Sequence, residues 1–297
     1  MTAPWLIVVA SFLFATMGVC VKLASAEYAS GEIVFYRGLT GALMMLALTH
    51  WRGGSLRTSV ASMHFWRCAS GVTALSLWFY SIGNLPLATA MTLNYMSSVW
   101  MALFLVGGAV ALGSARVDGR LIGTVLLGFA GVALILRPTI AQQQLWYGLM
   151  GLLSGIIAAT AYLQVTALGR IGEPEYRIVF YFSIGSICAG ALSLPWTGGL
   201  HAHTFKGAAL LVAVGVLATS GQFMMTRAYS TGRTLVNASL QYLGIAFSFG
   251  YGVLLFGDAI TPMALLGMAL IVGAGLSATL LGSRSATSNT VNAALET

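Results

Sequence analysis

Charge is what this chain has least of. Of its 297 residues only 7% are Asp, Glu, Lys or Arg, whereas a soluble globular domain carries roughly 25%. So few charges cannot cover a water-facing surface, and a soluble globular fold is excluded. Cysteine is nearly as scarce. Cys20, Cys68 and Cys188 fall in or beside apolar runs at spacings that match no zinc or redox motif, so they read as small core residues. The seven carboxylates (Glu27, Glu32, Asp118, Glu173, Glu175, Asp258, Glu296) fall in loops, at helix ends or in the tail. The four histidines (His50, His64, His201, His203) also sit near ends and loops. No acid is expected in mid-membrane, which argues against proton antiport through a central carboxylate and against a cage for multiply charged cations. Serine-hydrolase, H-E-x-x-H and G-x-G-D motifs are missing too, so no catalytic residue, metal or cofactor is assigned. The net charge of +7 is spread over short loops without a continuous basic face, which argues against nucleic acid as a partner.

What is present is apolar sequence. Hydrophobic residues make up 58% of the chain, and mean hydropathy is +0.88. Runs long enough to cross about 30 Å of hydrocarbon recur throughout. Ten are read, near 4–25, 32–51, 64–83, 86–110, 119–137, 145–169, 175–196, 206–229, 233–256 and 261–281. All six prolines lie at or near run ends, as helices require. The period-two alternation of a β-barrel is not seen. Ala24-Ser25-Ala26 mimics a signal-peptide cleavage site, but the first run is too long for a signal and has a counterpart in the sixth, so it is expected to be retained.

The runs form two related sets. Ile33 to Tyr36 spells IVFY, and so do Ile178 to Tyr181; TLNY ends at Tyr95 and SLQY at Tyr242. Gly123 and Gly131 repeat as Gly267 and Gly275. The expected fold is therefore an all-α membrane protein of ten helices in two five-helix repeats, residues 1–140 and 141–282, with a polar, disordered tail over 283–297. Five is odd, so the second repeat enters the bilayer inverted, and a binding site is expected between the halves. Ten basic residues, Arg67 among them, are assigned to loops or tail on one side, against Lys22, Arg137 and Lys206 on the other. That asymmetry places both termini in the cytoplasm of an inner (plasma) membrane protein.

Several residues at matching places carry a resemblance. They are Lys22 near the end of the first helix, Arg37 early in the second, Asn94-Tyr95 and Gln241-Tyr242 in the fourth and ninth, and Gly257-Asp258 before the last. Over residues 4 to about 282 the chain resembles the drug/metabolite transporter superfamily, and within it the EamA-type exporters, which include amino-acid exporters. Two departures stand out. Such families often carry a proline just after the tyrosines of helices four and nine; here Ser98 and Ile245 stand there, which leaves a mid-helix kink without its usual cause, although Gly244 allows a bend. The first-half acidic turn is altered to Gly113-Ser114-Ala115-Arg116-Val117-Asp118. The resemblance implies a central cavity within helices one to four and six to nine, with helices five and ten outside it. The Gly-rich, uncharged faces of those two outer helices suit close packing within the chain or in a homodimer.

Asn94 and Gln241 each lie eight positions into their runs, so a rise of 1.5 Å per residue places them about 12 Å deep, near the midplane. With Tyr95, Ser97 and Tyr242 they are candidates to bind a polar solute; the alternative is glue between helices, worth about 0.6 kcal/mol. Trp78 and Tyr162 are candidates for an aromatic wall, the alternative being a headgroup belt. Arg37 is a candidate for a substrate carboxylate or for Glu32, the alternative being snorkelling to the interface; its repeat counterpart is Phe182. The function expected is a secondary exporter of small metabolites, most of all amino acids with apolar or aromatic side chains. It works as a monomer or homodimer in the lipid bilayer, by alternating access and without proton coupling. A purine, sugar or drug exporter is the nearest alternative; a channel or an intramembrane enzyme is the alternative of another class. Reporters fused to the N- and C-terminus are both expected to register the cytoplasm; opposite compartments would rule out the inverted pairing.

Overall fold

The computed structural model describes residues 2–111, 119–135, 145–257, 262–263, 265–274 and 276–277. The altered turn at 113–118, Arg137, Asp258, Gly275 and the polar tail with Arg284 lie outside the described residues. Within them the regular elements are helical: α1 (Ala3–Ala24), α2 (Ser30–Trp51), α3 (Ala61–Asn84), α4 (Leu87–Tyr95), α5 (Ser97–Ala111), α6 (Gly119–Ile135), α7 (Leu145–Arg170), α8 (Glu175–Ser193), α9 (Phe205–Thr231), α10 (Thr234–Leu240) and α11 (Leu243–Phe256). A further apolar helix, α12, covers Leu265–Ala274. Among the described residues six stretches are long and apolar enough to cross a membrane: Ala3–Ala24, Ser30–Trp51, Leu145–Arg170, Glu175–Trp196, Phe205–Thr231 and Thr234–Phe256.

Polarity runs inside out, as a bilayer requires. Leu43, Val212 and Leu254 are exposed, whereas Arg37, Arg67, Asn94, Gln222 and Gln241 are buried. This corrects the loop assignment of Arg67. Helix α3 begins at Ala61, three residues before its apolar run, so Arg67 stands in the second turn and is 2% exposed.

The most extensive contacts pair α2 with α8, α1 with α9, and α3 with α7. Each joins a helix before residue 140 to one after it, so the centre of the bundle lies between the two sets. At the α2–α8 contact a side chain at Gly38 would strike the Ser183 carbonyl and one at Gly190 the Phe35 backbone. Gly131 of α6 approaches the Gly267 carbonyl in the same way, so the small-residue faces of the outer helices serve packing within the chain.

The fourth and ninth runs are each broken in the middle, at Met96 and at Gln241–Tyr242. No proline causes this. At the first break the Val99 amide bonds back to the Met96 carbonyl (2.9 Å); at the second, the Gly244 amide bonds to Gln241 (2.9 Å) and that of Ile245 to Tyr242 (3.0 Å). These are tightened i to i−3 bonds, which release carbonyls from the α-helical ladder. Ala238 is one: Tyr242 N–H turns to the Ser239 carbonyl instead, and the Ser98 hydroxyl donates to the Ala238 carbonyl at 2.7 Å. The hydroxyl that replaces the family's proline in α5 thus satisfies the break in the other half. Gly155 of α7 lies against the Leu93 and Asn94 carbonyls at the first break, where a side chain would collide. The missing kink is therefore corrected: its cause is hydrogen bonding and close packing.

Polar clusters tie the two ends. At the end expected to face outward, Glu32 accepts from the His201 backbone N–H at 3.2 Å and pairs with His201 Nδ1 at 2.7 Å. Tyr36 Oη meets His203 Nε2 at 2.8 Å. Lys22 donates to the Ile82 and Leu85 carbonyls at the end of α3. At the other end Glu173, in the turn between α7 and α8, pairs with His64 Nε2 at 2.8 Å and accepts from Arg177 Nη1 at 3.1 Å. Burial raises the Glu173 carboxyl, but hydrogen bonds from His64, Thr58 and Arg177 together outweigh it and hold the group below the ordinary carboxylate range. A depressed folded-state value contributes stability that is present at neutral pH and lost as pH falls through that value. Glu173→Gln is expected to cost about 1–3 kcal/mol at neutral pH, with the deficit shrinking below about pH 4. Melting of purified protein in detergent across that range checks it; a deficit that persists in acid places the stabilisation elsewhere.

Candidate substrate cavity

One cavity lies where the paired helices meet. Its free space is about 50 Å³ for a water-sized group and about 510 Å³ when all space between the lining atoms, the open mouth included, is counted; it is lined from α1, α2, α3, α4, α7, α8 and α9. Phe14, Met17, Leu75, Trp78, Phe182 and Met225 form an apolar wall. Arg37, Arg67, Asn94, Tyr95, Tyr162 and Gln222 supply its polar groups.

The two arginines dominate the electrostatics. Their guanidinium carbons lie over the same Phe182 ring, 4.6 Å from its centroid for Arg37 and 4.4 Å for Arg67. Arg37 Nη1 donates to Ser186 Oγ at 3.1 Å, one turn beyond Phe182 on α8. Arg67 folds back along α3 into space that Gly71 leaves open; a side chain at 71 would collide with its Nη1. Among the described residues no Asp or Glu lines the cavity. Glu32, five positions before Arg37, is committed to His201. Removing a guanidinium from water costs several kcal/mol, and a cation–π contact returns about 0.5–2 kcal/mol. The ring therefore offsets only part of the cost.

Unpartnered polar atoms gather here. Arg37 Nε, Arg67 Nε and Nη1, Trp78 Nε1, Tyr95 Oη and Gln222 Nε2 are buried without a hydrogen-bond partner, and all belong to lining residues. Buried polar groups are nearly always satisfied, so such a gathering calls for a functional account. Among the described residues no group of three or more His, Cys, Asp or Glu gathers as metal ligands.

Three comparisons bear on the arrangement. A profile described as the EamA-like transporter family matches residues 1–137. Proteins named "Pseudopaline exporter CntI" from two strains of Pseudomonas aeruginosa are 33% identical over 267 residues, covering 90% of this chain and 92% of theirs. This chain belongs to the EamA-like transporter family. An "Uncharacterized transporter" of Helicobacter pylori is 25% identical over 280 residues, covering 91% of this chain and 92% of its own. A crystal structure aligns with a TM-score of 0.78 over 95% of this chain and 98% of its own; at 16% identity it speaks for the fold alone. The EamA-like chain is thus a multi-pass membrane transporter and not an enzyme.

Of the residues singled out from sequence, Arg37, Trp78, Asn94, Tyr95 and Tyr162 line the cavity of this EamA-like transporter. Asn94 Nδ2 donates to Ser154 Oγ at 3.0 Å. Tyr162 stacks on Tyr229, with centroids 5.5 Å apart and planes 6° from parallel. Three residues do not reach the wall. Ser97 is fully buried behind the first break. Gln241 sits behind Tyr162, within hydrogen-bonding reach of its hydroxyl, with Nε2 3.6 Å from Met225 Sδ. Tyr242 turns away, its ring over Gly128 of α6 and its hydroxyl donating to the Val125 carbonyl at 3.3 Å. The tightened turn at Gln241–Tyr242 rotates that pair away from the cavity, whereas the break at Met96 leaves Asn94 and Tyr95 facing it.

Sequence reasoning missed Arg67, Phe182, Gln222 and Phe14. Arg67 had a signal: it lies within the run read at 64–83, and a charge inside an apolar run is a functional candidate. Phe182 had one too, as the repeat counterpart of Arg37. Replacing Phe182 by Leu removes the ring shared by both cations, whereas Phe79→Leu trims an equally buried ring with no cation over it. Phe182→Leu is expected to be the more destabilising by about 1–3 kcal/mol, read from melting in detergent. Equal losses would mean the cations gain nothing from the ring.

Proposed function

We propose that the chain is a secondary exporter of small carboxylate-bearing metabolites, a class that includes amino acids with apolar or aromatic side chains. It works by alternating access between two inverted five-helix halves with both termini in the cytoplasm. The observation that carries this reading is the cavity itself. It is shared by helices from both halves, is walled by Phe14, Trp78 and Phe182, and is furnished with a few polar groups at one place, as a small-molecule site requires.

The pairing pattern supports the inverted arrangement. Exchanging the halves turns the α1–α9 contact into α7–α3, which is also observed, and maps α2–α8 onto itself. Residues at equivalent positions meet only on such an axis, and Arg37 lies over its own counterpart, Phe182. The matched breaks in the fourth and ninth runs fit the same relation. Among the described residues no carboxylate or histidine lines the cavity, which supports a cycle without a proton held at the binding site. The naming of the Pseudomonas aeruginosa relatives favours pseudopaline as a second cargo to test.

Purified protein in liposomes is expected to give saturable flux of a radiolabelled amino acid. Unlabelled solute on the far side should stimulate that flux, and an imposed pH gradient should leave it unchanged. Flux that tracks the gradient would overturn the uncoupled cycle, and unsaturated flux with unitary currents would point to a pore.

A further inference from the structure

The cavity is built of donors. Among its unpartnered buried atoms, Arg37 Nε, Arg67 Nε and Nη1, Trp78 Nε1 and Gln222 Nε2 can only donate, and Tyr95 Oη can donate as well. Two of the residues that bear them carry a full positive charge, and among the described residues no acid lines the cavity. We infer that the preferred cargo is a net-anionic metabolite carrying two carboxylates on an apolar or aromatic skeleton, with Arg37 and Arg67 as its carboxylate ligands. This rests on the reading that the cavity is where cargo binds.

The charge balance selects the class. A zwitterionic amino acid brings no net charge and leaves both guanidinium groups uncompensated. Its ammonium group also finds no carboxylate in the cavity. A monocarboxylate neutralises one cation. Two carboxylates neutralise both, and they supply acceptors to every free N–H on Arg37 and Arg67. Guanidinium groups suit this task, since their planar fork matches a carboxylate and cannot lose its charge by deprotonation at physiological pH. The apolar part of the cargo then lies against Phe14, Met17, Leu75, Trp78 and Met225.

The test uses the full-length protein in liposomes and four compounds with one phenyl group each: phenylsuccinate, 3-phenylpropionate, phenylalanine and phenethylamine. Flux of phenylsuccinate is expected to exceed that of phenylalanine by about tenfold or more, with 3-phenylpropionate between them and phenethylamine at background. Arg37→Gln and Arg67→Gln should each abolish the preference for phenylsuccinate over phenylalanine, and Arg67→Lys should keep part of it. Phenylalanine moving as well as phenylsuccinate would overturn the inference and leave the amino-acid exporter standing. So would 3-phenylpropionate matching phenylsuccinate, since one carboxylate would then suffice. If none of the four moved, this inference and the amino-acid reading of the cavity would fall together. The wild-type ranking decides the matter even if the glutamine variants do not fold.

Discussion

Two guanidinium groups over one phenyl ring, held in the middle of an apolar bundle, are the constraint around which this protein is arranged. Neither has a carboxylate partner, so their burial is unfavourable in the folded chain, and the surrounding residues are those that make it tolerable. Phe182 offers its face to both, and Ser186 holds Arg37 from the same helix. Gly71 clears the space into which Arg67 folds back. Gly38 and Gly190 let α2 and α8 approach closely enough to bring Arg37 onto Phe182. A stability-optimised core would not contain these cations. Buried ionisable groups inside a membrane protein are generally functional, and here the energetics and the orphaned donors point to the same place.

The broken helices are the second device. A proline break deletes an amide donor and exposes a carbonyl. The breaks at Met96 and Gln241–Tyr242 contain no proline and turn the amides of Val99, Tyr242, Gly244 and Ile245 back by one residue, and the Ser98 hydroxyl reaches across from α5 to serve the carbonyl freed at Ala238. The two breaks are therefore joined to each other by a hydrogen bond near the centre of the bundle. A movement of one half against the other would have to carry both breaks or sever that bond. Gly155, pressed on the Leu93 and Asn94 carbonyls, adds α7 to the same junction. The two breaks are thus alike in place and unequal in use, because one turns its polar pair toward the cavity and the other turns its pair behind the wall.

The membrane class and the polar residues of the fourth run were legible in the sequence, because scarcity of charge and an amide deep in an apolar run follow from transfer free energies alone. The family was legible in Lys22, Arg37 and the two amide–tyrosine pairs, which stand at matching places. What was not legible depends on direction around a helix. The Gln241–Tyr242 pair has the same spacing and depth as Asn94–Tyr95, yet a two-residue turn rotates it toward α6 and behind Tyr162, and hydropathy carries no information on that rotation. Arg67 was lost for a different reason. It is the fourth residue of the run at 64–83 and counts there among the loop charges, whereas the helix starts at Ala61 and carries it inside. The shared ring of Phe182 is a tertiary fact that repeat arithmetic hinted at by matching it to Arg37.

The missing acid and the paired cations also bear on energy coupling. On the proposed cycle a dianionic cargo neutralises the site, so the loaded carrier crosses with little net charge in its cavity. The empty carrier returns with two positive charges and no counter-charge from the protein. Moving a unit charge through the whole of a 100 mV potential is worth about 2.3 kcal/mol, and the potential of a respiring cell is negative inside. The field therefore draws the unloaded cavity back toward the cytoplasm and leaves the loaded one almost untouched. A site without any proton acceptor can still be driven outward in this way, because the arginines convert membrane potential into a bias on the return step. A zwitterionic cargo would not neutralise the site, and the same field would then oppose the loaded step as strongly as it favours the return. Uncoupled from protons, the carrier draws a direction from the membrane potential only if its cargo carries the charge that its cavity lacks.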